Sequence, residues 1–199
     1  MNQIKNIEHH PWVPFIPNGA KVIFLGSFPP KKDKWSMDFY YPNKINDFWR
    51  IIGYIFFNNP QHFWNSQKNT FNKQQIISFL NNNKIALGDS AIDVIRLKDN
   101  ASDKHLEIIT PINLIEILNS NIKCNAVIST GQKAAEIIAN ITNTAIPSIG
   151  KFVETSINNR YVRIYRMPST SRAYPLSLTK KASFYKKLFI DLEILGQND

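Results

Sequence analysis

Short apolar runs alternate with amphipathic stretches along this chain, and that rhythm sets the first expectation. Lys21-Val-Ile-Phe-Leu-Gly26 is an apolar run stopped by glycine, which reads as a buried strand. After a polar loop marked by Pro29 and Pro30, Phe48, Trp49, Ile51, Ile52, Ile55 and Phe56 recur at helical spacing, with Asn46 or Asp47 placed to cap the first turn. A second helix is predicted over about 73–82, where Ile76, Ile77 and Leu80 share a face. Positions 85–87 read as a second strand ended by Gly88, and 111–119 as a helix with Pro111 in its first turn. Ala126-Val-Ile-Ser129 gives a third strand, and Gly131 opens a helix through Ala134, Ala135, Ile137 and Ile138. Positions 161–165 give the fourth strand, and a last helix carries Phe184, Tyr185, Leu188, Phe189, Leu192 and Leu195.

Strands alternating with helices imply crossover connections and a mainly parallel sheet covered on both faces. In such sheets ligands bind beyond the carboxyl ends of the strands. Three segments fall there: the loop after Gly26, the turn 129–132 and the loop after Met167. A length of 199 residues fits a single domain over 1–199, with 1–18 as a proline-rich N-terminal extension. No apolar run approaches the ~18 residues of a membrane span, and 1–10 lacks the apolar stretch of a signal peptide. One cysteine, Cys124, excludes an intrachain disulfide and a four-thiolate iron–sulfur site, so a cytoplasmic setting is expected. His9 and His10 fall in what reads as a mobile, solvated terminus, and His62 and His105 lack ligand-like spacing. Neither metal nor cofactor is therefore expected.

Charge narrows the partner. Lys and Arg number 24 against 15 Asp and Glu, a net charge of +9. An excess of this size suits a polyanion, because each phosphate neutralised releases condensed counterions. The cations are also clustered: Lys31, Lys32 and Lys34 follow the first strand, and Arg160, Arg163, Arg166, Arg172, Lys180, Lys181, Lys186 and Lys187 crowd the C-terminal quarter.

Two segments carry candidate chemistry. Gly26-Ser-Phe-Pro-Pro30, followed by Tyr40-Tyr-Pro-Asn-Lys-Ile-Asn-Asp-Phe-Trp49, pairs a proline-braced turn with aromatics and amides. That set suits a pocket in which a ring stacks on a base and an amide or backbone group reads its edge. It equally suits tyrosines packed on the sheet and an asparagine capping a helix. Met167-Pro-Ser-Thr-Ser-Arg-Ala173 places small hydroxyl residues at a strand end, where they grip phosphates or simply enter a helix.

Taken together, these segments resemble the two signature motifs of the uracil-DNA glycosylase superfamily, over about 21–192. Val127-Ile-Ser-Thr-Gly-Gln-Lys-Ala134 resembles its third strand and following helix. Leu25-Gly-Ser-x-Pro29, Tyr40-Tyr41, Asn46-x-Phe-Trp49 and Pro168-Ser-Thr-Ser171 agree more closely with the hypoxanthine-DNA glycosylase branch than with the mismatch-specific uracil branch. The resemblance implies a three-layer α/β/α fold around a central four-stranded parallel sheet. It also implies a monofunctional enzyme, working as a monomer, that hydrolyses the N-glycosidic bond of a flipped uracil or hypoxanthine in base excision repair.

By the same resemblance Asn46 carries the catalytic burden, with Asp93 as a further catalytic or pocket candidate. Tyr41 stacks on the base, and Gly26, Ser27, Phe28 and Pro29 line its pocket. Ser169, Thr170, Ser171 and Arg172 meet DNA, with Lys180 and Lys181 on its phosphates. Two positions depart from the pattern: Phe28 stands where many relatives carry a water-activating Asp or Asn, and Met167 where many carry His or Asn. Those departures keep a silent damaged-DNA-binding module open as an alternative. A nucleoside or nucleotide hydrolase is a third reading, against which the basic charge argues.

Overall fold

The computed structural model describes residues 6–97 and 105–196. In chain order the elements are β1 (Ile7–His9), β2 (Val22–Gly26), α1 (Phe48–Phe57), β3 (Trp64–Asn65), β4 (Thr70–Phe71), α2 (Lys73–Asn83), β5 (Ile85–Asp89), β6 (Ala91–Arg96), β7 (Leu106–Pro111), α3 (Leu114–Ser120), β8 (Ala126–Thr130), α4 (Gln132–Thr142), β9 (Lys151–Ile157), β10 (Arg160–Met167) and α5 (Leu178–Asp191). The main sheet has the order β5-β2-β8-β10-β9. Its first four strands run parallel, and β9 pairs antiparallel with β10 at the edge. The parallel core therefore has the four expected strands, but the sheet has five. The extra strand needs no crossover, because Asn158 and Asn159 at positive φ turn β9 straight back into β10.

Alternation along the strands builds the layers. Val22, Phe24, Leu87 and Ile128 face one side, where α1, α2 and α5 bury Trp49, Ile52, Leu80, Tyr185 and Phe189 against them. Ile23, Leu25, Val127 and Ile164 face the other, beneath Leu114 and Leu118 of α3 and Ile138 of α4. With side chains buried on both faces, β2, β5 and β8 are apolar almost throughout, as a covered parallel sheet requires.

Several elements lie outside the sequence-based expectations. A second sheet, β1-β6-β7, forms beside the main one and buries Ala91 and Val94 with Leu106, Ile137 and the ring of Phe28. Pro111 ends β7 rather than starting a helix, and α3 begins at Leu114 with Asn113 as its N-cap. The 7–17 segment is no loose extension. β1 pairs with β6, Phe15 bridges Leu87, and Trp12 packs on Trp35 at 4.6 Å. The prediction for this layer concerns Phe24, which is fully buried against Phe48, Tyr185 and Phe189. Phe24→Ala is expected to cost about 3–5 kcal/mol in urea denaturation.

Candidate active site at the strand ends

The parallel strands end side by side, and each delivers a different group. β2 delivers Gly26 and the turn 27–30, β5 delivers Asp89, β8 delivers Thr130, and β10 delivers Met167 and the loop 168–172. The first turn is held from below and from the side. Ser90 N donates to Gly26 O at 2.8 Å and Ala91 N to Ser27 O at 3.2 Å. Arg96 Nη2 reaches Pro29 O at 3.2 Å while Arg96 grips Glu8 with two donors.

Asp89 sits directly against Gly26, whose position admits no side chain: a Cβ there would collide with Asp89 Oδ1. The other carboxylate oxygen meets His10 Nε2 at 2.9 Å, and the two side chains are only 9% and 2% exposed. His10 Nδ1 lies 2.7 Å from the carbonyl of Trp12 and 3.1 Å from its backbone N–H, which fixes the ring from this side. The Nε2–Oδ2 contact is a hydrogen bond between two buried side chains. Burial pushes the Asp89 carboxyl above the usual aspartate range, opposed by the hydrogen bond and charge of His10 and by the Gly26 backbone. The edge of Phe28 packs on the His10 ring at 5.4 Å, and Tyr40 stacks on it at 5.8 Å.

Tyr41 closes the cluster from the opposite loop. Its φ of 53° is a left-handed conformation that a bulky residue adopts only when its surroundings demand it. Those surroundings are visible: the ring stacks on Phe48 at 3.8 Å, and the hydroxyl meets Thr130 Oγ1 at 2.9 Å. Burial and the nearby Asp89 raise its phenol far above the ordinary value, so it stays neutral.

The two motif segments meet through Asp47, which is 6% exposed. Its backbone N donates to Thr170 O at 2.8 Å, and Asn46 pairs with Ser171 in an isolated antiparallel bridge. One carboxylate oxygen takes Arg172 Nε at 3.0 Å, and the other takes Lys181 Nζ at 3.0 Å. Lys181 also donates to Ser171 O at 2.7 Å. Tyr185 of α5 anchors the same loop by donating to Pro168 O at 2.9 Å.

Placement of the expected residues is therefore mixed. Gly26, Ser27, Phe28, Pro29 and Tyr41 gather at the strand ends, and Asn46 joins the second loop. Asn46 Oδ1 accepts from Phe48 N at 2.9 Å and so caps α1, leaving a second lone pair on that oxygen. Ser169 and Ser171 spend their hydroxyl oxygens on local turns, accepting from Ser171 N and Ala173 N. Arg172 and Lys180 are exposed.

Three assignments are corrected. Lys181 is fully buried on Asp47 and is not a surface phosphate contact. Thr170 is 2% exposed and contributes its backbone, not a DNA-facing side chain. Asp93 lies on β6 in the small sheet, where hydrogen bonds from Thr110 and His9 lower its pKa, so its carboxylate is committed away from the cluster. The basic C-terminal quarter is also less available than its composition suggests. Arg160 caps the end of α3 through Leu118 O, Arg163 pairs with Glu154, and Arg166 binds Pro147 O.

Sequence reasoning missed Asp89 and His10. The signal for Asp89 was a charge ending an apolar run at a strand's carboxyl end, one residue beyond the Gly88 at which the strand was expected to stop. His10 reads as a tail residue until β1 pairs with β6 and carries it inward. Among the described residues no three His, Cys, Asp or Glu gather as metal ligands, and no helix is long and apolar enough to cross a membrane.

No protein-family model matches this chain, and no curated protein matches it. Among solved structures, one from Methanosarcina acetivorans, determined in solution by NMR and provisionally designated a uracil DNA glycosylase, superposes with a TM-score of 0.60. The two share 17% identity over 94% of this chain and 99% of that one. The chain has a uracil-DNA-glycosylase-like fold. At this identity the likeness speaks to the fold alone, and the chemistry must come from the strand-end residues.

Two outcomes follow from this geometry. Asp47→Ala leaves Lys181 buried without its carboxylate and is expected to cost about 3–5 kcal/mol in urea denaturation. A loss near zero would show that this ion pair does not hold the loops. For Asp89, a raised folded-state pKa means that the native state binds more protons than the unfolded chain above about pH 4. Its contribution is then fully present below the unfolded pKa and is lost as pH rises through the folded one. Asp89→Asn removes that loss, so the variant should gain stability relative to wild type between pH 4 and neutrality. A constant difference across that range would contradict the assignment.

Proposed function

We propose that this chain is a monofunctional DNA glycosylase of the uracil-DNA glycosylase superfamily, which extrudes a deaminated base, hypoxanthine or uracil, from duplex DNA and hydrolyses its N-glycosidic bond. The observation that carries this reading is the meeting of the two motif segments at the strand ends, with a neutral ring, a glycine-floored turn and a buried carboxyl facing one another. Deaminated bases present a ring N–H beside a carbonyl. The Asp89 carboxyl, one oxygen of which is held by His10, keeps lone pairs to accept that ring N–H. Backbone amides of the turn after Gly26 add donors, and Tyr41 and Phe28 supply apolar walls that exclude water.

Departure of the base requires stabilisation of its developing negative charge more than a strong nucleophile, because the DNA phosphates help hold the oxocarbenium-like sugar. The free lone pair of the Asn46 oxygen suits it to orient the attacking water, without general-base catalysis worth roughly 10²–10⁴-fold. A slow enzyme follows. Among the described residues no lysine in the cluster is placed as a Schiff-base nucleophile, since Lys181 is bound to Asp47, so base loss without strand cleavage is the expected product. Cytoplasmic base excision repair by a monomer completes the reading. The apolar Phe28 and the buried Met167 favour one rival, a damaged-DNA-binding module that releases no base.

The deciding assay is base release from labelled duplexes carrying a single uracil or hypoxanthine, with alkali to cut abasic sites. Wild type should act on one of these lesions, Asp89→Asn should be slower by roughly 10²-fold or more, and Asn46→Ala should lose most activity as well as about 1 kcal/mol of stability from the lost cap. Binding without any release, at enzyme in excess over DNA, would favour the silent module.

A further inference from the structure

Beside the Asp47 ion pairs, outside the strand-end cluster, a cavity of about 560 Å³ opens between the loop leading into α1, the β3–β4 hairpin and Arg172. Lys44, Arg50 and Arg172 line it together with Ile45, Gln61, Trp64 and Ser66, and among the described residues no acidic side chain does. Its central group is Arg50, which is only 8% exposed. The guanidinium carbon lies 5.6 Å from the centre of the Trp64 ring and 5.5 Å from that of Phe71. Nη1 donates to Lys44 O at 2.7 Å and to Asn46 O at 3.3 Å, while the buried Nε has no partner.

An arginine buried this deeply ordinarily faces a carboxylate, because an uncompensated charge and an idle donor are both costly away from water. The nearest candidate, Asp47, already binds Arg172 and Lys181. Burial and the like charge of Arg172 both act against the charged form of Arg50, with Asp47 only partly offsetting them. A planar guanidinium in the cavity wall, flanked by two further cations and two neutral hydrogen-bonding side chains, is chemistry for a phosphate. The volume exceeds what a phosphate alone needs and falls in the usual range of ligand sites, roughly 300–1,000 Å³. Trp64 offers an apolar face to an attached sugar or base.

We propose that this cavity is a phosphate subsite that receives a backbone phosphodiester of the DNA strand next to the extruded nucleotide. This rests on the glycosylase reading for its ligand. Position favours a strand over a free anion: Arg172 belongs to the second motif loop, and Asn46, whose carbonyl holds Arg50, is bridged to Ser171 of that same loop. A strand whose nucleotide enters the strand-end site would pass this rim.

The test is a phosphate walk. Duplexes carrying the lesion with a 2′-fluoro sugar, which resists cleavage, are made with a single neutral methylphosphonate at each flanking position in turn, and affinity is measured against salt. Wild type should lose roughly tenfold or more at one flanking phosphate. Arg50→Gln should lose that sensitivity at that position only, with the log affinity–log salt slope reduced by about 1. Lys44→Ala, whose side chain is exposed, should do the same in weaker form and keeps the test valid where Arg50→Gln does not fold. Variants with the wild-type slope and the wild-type methylphosphonate profile would overturn the proposal. So would a flat DNA profile with calorimetric binding of inorganic phosphate to wild type alone, which would make the site one for a free anion. Base release from the unmodified lesion is scored separately: release with a flat profile removes the subsite and leaves the glycosylase, whereas an intact profile without release leaves a DNA-phosphate site and removes the enzyme.

Discussion

Asp47 joins residues 125 and 134 positions away through Arg172 and Lys181, and in doing so brings two loops that leave different strands to one place. A buried ammonium and a buried carboxylate tolerate each other only at close range and with their remaining hydrogen-bonding capacity satisfied. Lys181 meets that condition with one bond to Asp47 and one to the Ser171 carbonyl. The register of the second loop against the first is thereby set by charge as well as by the single bridge from Asn46 to Ser171. The helices carrying these partners, α1 and α5, are in turn held by the apolar face of the sheet through Phe24, Phe48 and Phe189.

The strand ends show the complementary arrangement. There the polar groups are few and buried: a tyrosine held protonated, and an aspartate, its carboxyl pushed up by burial, hydrogen-bonded to a histidine. Around the Asp47 pairs the balance is positive, with Arg50 lacking a carboxylate of its own. A buried, aromatic-lined cluster beside a cationic rim is the pattern that the proposed reading calls for, with the base inside and the polyanionic backbone at the edge.

Much of this was legible in the sequence, and the failures have physical causes. The apolar runs that became β2, β5 and β8 read correctly because a doubly covered parallel strand has no other way to be written. The small strands β1, β6 and β7 did not, since their alternation is partial and their pairing joins segments far apart in the chain. That omission hid His10, while Asp93 was named from the resemblance alone and Asp89 was passed over. Lys181 was misread for a different reason: on paper a lysine beside Lys180 at a helix start is a solvated pair. Only the fold shows that the second of the two turns inward to Asp47. Composition was the weakest guide, because Arg160, Arg163 and Arg166 serve carbonyls and Glu154 within the fold.

The central proposal is that a base leaves the duplex and reaches the strand-end cluster of Gly26, Tyr41 and Asp89. A crystal structure with a duplex carrying a 2′-fluorinated deoxyinosine or deoxyuridine tests this most directly. The account predicts the base turned out of the helix, its edge on the Asp89 carboxyl and the turn after Gly26, and its ring against Tyr41 or Phe28. A base still stacked in the duplex, or one seated elsewhere on the protein, would contradict it.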